Sequence, residues 1–308
     1  MRQRLWGRLI GAALVALLVL AGSAAWSGQP APYAATPALT ASVGDVVLGY
    51  RIVGQGSPML LITGYGCTMD TWDPDLIAAL AAKHRLILMD NRGMGTSTAS
   101  DAPFSMRLFA EDAAGLLKAL GIERADVLGW SMGAVTALEL ALLHPELVDK
   151  VVAYGAAYEP GPVLAALERM RRMTPEEHLA QLFPARWAAA HPDALAHLPK
   201  PAIASRPEIV ARQAEAIARW SGFGDRLDRL DKDVLLVVGQ DDDVTAPAQS
   251  LTLAARIPGS WLVRFRDAGH WLMFQVPERL AQVVETFLTA GAQTAESVRP
   301  ATAPARCD

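Results

Sequence analysis

Ser131 stands in "VLGWSMGAV" (127–135), between Gly129 and Gly133, where an apolar run gives way to a helical pattern. A serine hydroxyl attacks an electrophile only when a base takes its proton. A strand that turns straight into a helix suits that chemistry, because the corner lifts a side chain above the strand's end. Such a corner is cramped, and glycine on either side leaves room for it. The first N–H groups of the following helix lack intrahelical partners and carry partial positive charge. The Met132 N–H is therefore aimed at any oxyanion that forms beside Ser131. Glycine–serine turns also occur for structural reasons alone; the strand-to-helix setting is what separates this one from them.

Six histidines compete for the role of base. His84 precedes a strand, at the end away from any strand-terminal site, and His144 closes a helix before Pro145. His178, His191 and His197 fall in a helical stretch with spacings that match no metal motif. His270, in "DAGHWLMF", follows directly on the strand at 260–267. The C-terminal ends of parallel strands are where reactive groups gather, so His270 is the expected base. The base needs a third group to fix its tautomer and stabilise the imidazolium. Asp241, Asp242 and Asp243 follow the strand at 233–239; Asp242 is preferred, with Asp241 the alternative. The loop "DNRGMGTS" (90–97) lacks both the G-x-G-x-x-G pattern and the lysine of a phosphate-binding loop. Asp90 and Arg92 are expected to tie loops together there. No metal or organic cofactor is implied.

The elements that must position these groups alternate. Strands are expected at 45–53, 58–63, 85–90, 125–130, 148–155, 233–239 and 260–267, with helices at 73–83, 105–121, 131–144 and 277–290. Most of the strands are continuous apolar runs, the mark of strands covered on both faces, so the fold class is α/β with a largely parallel sheet. The alternation breaks between about 158 and 230, where several helical pieces begin at or beside a proline. That stretch is expected to lie as a helical insertion over the sheet's C-terminal edge. Its Trp187 and Trp220, with Trp271 after the histidine, are candidates to line an apolar substrate pocket.

The chain has 308 residues, 52% hydrophobic and 19% charged, enough apolar material for a full core and too much for wholesale disorder. A net charge of −4 with scattered basic residues leaves no footprint for nucleic acid; Arg169, Arg171 and Arg172 read as a solvated helix face. Two cysteines, Cys67 and Cys307, are too few for a disulfide framework. Arg2, Arg4 and Arg8 precede an uncharged run at 9–21, and small residues follow at 23–25. Residues 1–26 are therefore expected to be a signal peptide or N-terminal membrane anchor, and the protein to be exported, periplasmic or secreted. Any membrane attachment would run through that segment only. A Pro/Ala-rich linker is expected at 27–40, the folded domain at 41–292 and a flexible tail at 293–308.

In order along the chain, "ITGYGCTMDTW" (62–72), "DNRGMGTS", "GWSMG", "GQDDDVTAP" (239–247) and "GHW" (269–271) resemble the motifs of the α/β-hydrolase fold superfamily. The likeness is to its esterases, lactonases and cofactor-free haloperoxidases, and covers roughly 40–290. It implies a mostly parallel eight-stranded sheet with a helical lid and the chain order Ser, Asp, His. It again points to Asp242, and it makes the Tyr65 N–H, after Gly64, a second oxyanion donor. One departure is Thr63 before Gly64, where histidine is frequent; a side-chain support of that loop is changed. The implied activity is hydrolysis of a carboxylic ester or lactone of a small to medium hydrophobic substrate through an acyl-enzyme. A hydrolase-derived binding or sensing protein, an aminopeptidase and a perhydrolase are the alternatives. Ser131 sets aside the epoxide hydrolases, which use an aspartate nucleophile.

Overall fold

A computed structural model describes residues 31–194 and 198–290. The segment at 1–26, the tail at 293–308, Cys307 and His197 lie outside the described residues. Eight strands form one sheet: β1 (Leu39–Val43), β2 (Val46–Val53), β3 (Ser57–Ile62), β4 (His84–Met89), β5 (Ala125–Trp130), β6 (Val148–Tyr154), β7 (Asp233–Gly239) and β8 (Trp261–Phe265). Their order is β1-β2-β4-β3-β5-β6-β7-β8. The pairs β1/β2 and β2/β4 are antiparallel, and every pairing from β4 to β8 is parallel.

The central strands read as unbroken apolar runs because each face packs on helices. Leu60, Ile62, Ile87, Val127, Val151 and Leu236 point to one side, against α2 (Met106–Ala119), α3 (Met132–Leu143) and α8 (Pro247–Arg256). Their alternating neighbours Met59, Leu61, Leu88, Leu128, Val152 and Leu235 point to the other, against α1 (Pro74–Ala81) and α9 (Pro277–Thr289). Burying each such side chain is worth about 1.5–3 kcal/mol. Between β6 and β7 the described residues include four α-helices, α4 (Pro160–Met170), α5 (Pro175–Leu182), α6 (Ala185–Ala190) and α7 (Pro207–Arg219). This is the helical insertion the sequence suggests, joined to the sheet at both ends.

Two elements go beyond the sequence reading. Helix α8 buries Gln249 and Ser250 beside Leu253, so polar residues on its inner face mask the apolar period. The expected linker at 27–40 is structured from Ala31 onward: Tyr33 is buried and its hydroxyl donates to the Trp72 carbonyl at 2.8 Å. The Arg51 guanidinium, paired with Asp70, donates to the Thr36 carbonyl. Strand β1 then begins at Leu39, so the described residues 31–40 already belong to the domain that the composition begins at 41.

The corner between β5 and α3 has no spare volume. A Cβ on Gly129 would sit 2.2 Å from the Gly133 carbonyl oxygen, and one on Gly133 would sit 2.1 Å from that of Ile62. Both contacts are with backbone, which cannot step aside as a flexible side chain can. Gly133→Ala is expected to cost roughly 3 kcal/mol or to abolish soluble expression. Urea unfolding of the variant measures the loss.

Candidate active site

Ser131 sits at the N-terminus of α3 with φ 57° and ψ −117°, a conformation that costs a residue with a side chain about 1–3 kcal/mol. Its N–H donates to the Tyr154 carbonyl at 2.8 Å, which ties the corner to β6. Its Oγ lies 3.1 Å from His270 Nε2, and His270 Nδ1 lies 2.8 Å from Asp242 Oδ2. The sequence places these residues in three different loops; the structure brings all three together at the C-terminal ends of β5, β7 and β8. Nδ1–H donating to the carboxylate leaves Nε2 free to accept the serine proton.

Asp242 is fully buried, and four donors replace the water it gave up. Its Oδ1 accepts the N–H groups of Val244 (2.9 Å) and Thr245 (2.8 Å), and Oδ2 accepts the Thr245 hydroxyl (2.9 Å) as well as His270. Asp241 and Asp243 are exposed. Asp241 pairs with Arg186 at 2.8 Å, while the Asp243 carbonyl accepts from Arg169. The choice among the three acids is thus made by a turn that points the middle one inward.

Two supports were not read from the sequence. Thr245, whose hydroxyl also lies 3.2 Å from His270 Nδ1, could have been found as the hydroxyl residue three places after an inward-facing aspartate. Tyr154, at the end of β6, donates its hydroxyl to the His270 carbonyl. Burial, reinforced by the Asp242 charge, holds that phenol well above its ordinary range, so it remains a donor. Nothing in the sequence of β6 distinguishes it from a core tyrosine.

The N–H groups of Met132 and Tyr65 have no acceptor among the described residues. Gly64 packs against Ser131, where a Cβ would lie 3.2 Å from that of the serine. Thr63 is buried and supports the loop itself: its hydroxyl donates to the Cys67 carbonyl, and Asn91 Nδ2 donates to the Thr63 carbonyl, both at 3.3 Å. The departure from histidine thus leaves the loop held. Asp90 and Arg92 tie loops together as expected. Asp90 accepts the N–H groups of Met69 (2.8 Å) and Thr96 (2.9 Å), and Arg92 makes two 2.6 Å bonds to Asp112.

Of the three tryptophans, Trp271 lies edge-on to Trp130 (6.0 Å) and Phe183 (5.8 Å), and Trp130 is 5.8 Å from the His270 ring. Trp187 stacks on Phe183 at 4.9 Å and joins the same aromatic row. Trp220 is elsewhere employed. Its indole N–H donates to Glu139 Oε1 at 3.2 Å, and Arg226 grips the same carboxylate, bracing the end of α7 on α3. Among the other histidines, His84 bridges Ser57 (2.8 Å) and Glu285 (2.7 Å). That trio repeats the spacing of the Ser131 relay, but Ser57 opens β3 at the opposite end of the sheet, with no helix starting beside it.

A model of the alpha/beta hydrolase family matches residues 59–283. The 2-hydroxymuconate semialdehyde hydrolase of Pseudomonas putida is 32% identical over 276 residues, covering 82% of this chain and 96% of its own. Among solved structures, the enol-lactonase of Burkholderia xenovorans LB400 superposes with a TM-score of 0.73 at 26% identity, covering 82% of this chain and 100% of its own. A thermophilic esterase of Thermogutta terrifontis superposes with a TM-score of 0.71, also at 26% identity, covering 82% and 98%. The chain belongs to the alpha/beta hydrolase family, as its sequence motifs led us to expect.

Asp90 gives this scaffold a pH signature. Burial pushes its carboxyl up to about 6, against the partial relief of the Met69 and Thr96 N–H bonds. A folded-state value above the unfolded one means that the folded protein holds the proton more tightly. The resulting stability is present at low pH and is lost as pH rises through about 6. Between pH 7 and pH 5 the wild type should gain about 1 kcal/mol more than Asp90→Asn. Urea unfolding at the two pH values measures the difference.

Proposed function

We propose that this protein is a serine hydrolase that cleaves a carboxylic ester or lactone of a small to medium hydrophobic substrate. The observation that carries the proposal is the chain of contacts from Ser131 through His270 to Asp242, set on a strained corner. Ser131 Oγ attacks the carbonyl carbon as its proton passes to His270 Nε2. The oxyanion meets the N–H groups of Met132 and Tyr65, each such donor typically worth about 3 kcal/mol. His270 protonates the leaving alcohol, and water then repeats the sequence to release the acid. Asp242 holds the imidazole in the productive tautomer throughout.

Support for the substrate class comes from the aromatic row of Trp271, Phe183 and Trp187 and from the enol-lactonase and esterase among the structural relatives. The insertion would serve as a lid over that row. A second substrate is suggested by the 32% identity to a 2-hydroxymuconate semialdehyde hydrolase, and the same serine relay would serve it. Residues 1–26 would direct export, so the mature chain should begin near Trp26 on N-terminal sequencing; a soluble protein that keeps Met1 contradicts export.

A fluorophosphonate should label the wild type and Ser57→Ala but not Ser131→Ala, because Ser57 lacks the oxyanion donors. Absence of wild-type labelling would favour a binding protein. On a panel of p-nitrophenyl esters of graded acyl length, Asp242→Asn should lower turnover by roughly 10⁴-fold, while Asp241→Asn and Asp243→Asn stay within about 3-fold, as expected for exposed acids. Adding 2-hydroxymuconate semialdehyde to the panel separates the two substrate classes.

A further inference from the structure

The loop that carries the Tyr65 N–H is held at one end by the sheet and at the other by the insertion. Gly64 lies against Ser131, and two residues later Gly66 is gripped on both of its polar groups. Its N–H donates to Gln213 Oε1 at 2.8 Å, and its carbonyl accepts the Ser205 hydroxyl at 2.7 Å. Gly66 has φ +71°, and a Cβ placed there would meet only Val210, at 3.8 Å. Side-chain packing therefore does little to fix this peptide, and hydrogen bonds must set its orientation. Tyr65, between the two glycines, inherits that orientation.

Gln213 is fully buried on α7. Only its oxygen can accept the Gly66 N–H, so the amide cannot turn over, and Nε2 is left buried without a partner among the described residues. A residue present for packing alone would not carry that orphan donor, since an apolar side chain of similar size fills the space without it. The helix is itself anchored: Arg206 donates to the Gly93 carbonyl at 2.9 Å, and Arg212 donates to those of Ser100 and Ala102 at 2.7 Å. Gln213 is thus a short arm on a fixed support, reaching the one peptide next to the oxyanion donor.

We propose that Gln213 is a positioning residue that, through Gly66, aims the Tyr65 N–H at the reacting oxygen. The insertion then completes the oxyanion side of the site as well as covering it. This rests on the acyl-transfer chemistry proposed above, with Tyr65 as a donor.

Gln213→Leu removes the acceptor, whereas in Gln213→Glu a carboxyl oxygen accepts the same N–H in either protonation state. The readouts are kcat and KM on p-nitrophenyl butyrate, and inhibition by an alkyl trifluoromethyl ketone, which adds to the serine and places an oxyanion between the donors. Gln213→Leu is expected to lower kcat roughly 10–100-fold with KM within about 2-fold. Ketone affinity should fall by the same factor as kcat/KM, and Gln213→Glu should recover most of the loss. Ser205→Ala, which frees the Gly66 carbonyl, should show the same pattern at roughly 3–10-fold, and decides the matter alone if Gln213→Leu does not fold. An unchanged kcat, a loss confined to KM, a kcat loss without a loss of ketone affinity, or a glutamate no better than leucine each overturn the positioning role while leaving the hydrolase standing. A wild type that neither turns over the ester nor binds the ketone overturns both.

Discussion

The site depends on one steric constraint, the forced corner at Ser131. Strand β5 cannot pass into α3 without a residue at positive φ, and neither flanking position tolerates a Cβ, because backbone oxygens stand about 2 Å from where it would lie. The strain is affordable because both elements are deeply packed, β5 among its parallel neighbours and α3 with nearly every side chain buried. The same rigidity fixes the direction of the serine hydroxyl. A softer corner would let the side chain relax to an ordinary helix N-cap, whose oxygen bonds its own backbone N–H groups; Ser131 makes no such bond.

Around that corner the buried oxygens of Asp242 and His270 keep hydrogen-bond partners. The carboxylate of Asp242 sits in a dry turn yet has four donors, and the carbonyl of His270 has the Tyr154 hydroxyl. Trp130 and Trp271 press on the imidazole region from the apolar side. Rigid rings exclude water there, which strengthens every electrostatic contact that remains.

The insertion meets the sheet in two different ways. Helix α7 is fixed by half-buried bonds to the loops after β3 and β4, whereas α6 reaches the acid loop through Arg186, whose pairs with Asp241 and Asp267 are exposed. Exposed pairs of that kind contribute little and weaken with salt. Beside the histidine loop the insertion also has an apolar hold, with buried Phe183 edge-on to Trp271 and the Trp271 N–H donating to the Leu182 carbonyl at 3.2 Å.

The sequence by itself determined most of the sheet, the corner and which histidine meets Ser131. Short unbroken apolar runs between turn signals read as strands covered on both faces, paired glycines around a serine leave room for a crowded turn, and the sequence pattern sets His270 directly after a strand. It also preferred Asp242 among three neighbouring acids; the turn that buries that one supplies the physical reason, since three consecutive aspartates have identical chemistry until one is desolvated. Helix α8 escaped because two of its buried positions, Gln249 and Ser250, are polar, and strand β1 because only its last residue, Val43, is buried, so neither shows the period that betrays other elements. Only the tertiary structure decided that Trp220 braces a helix while Trp271 and Trp187 form an aromatic row, and that Thr245, Tyr154 and Gln213 support the site. Those roles arise from contacts between residues far apart in the chain, and no local pattern encodes which distant backbone group a side chain will meet.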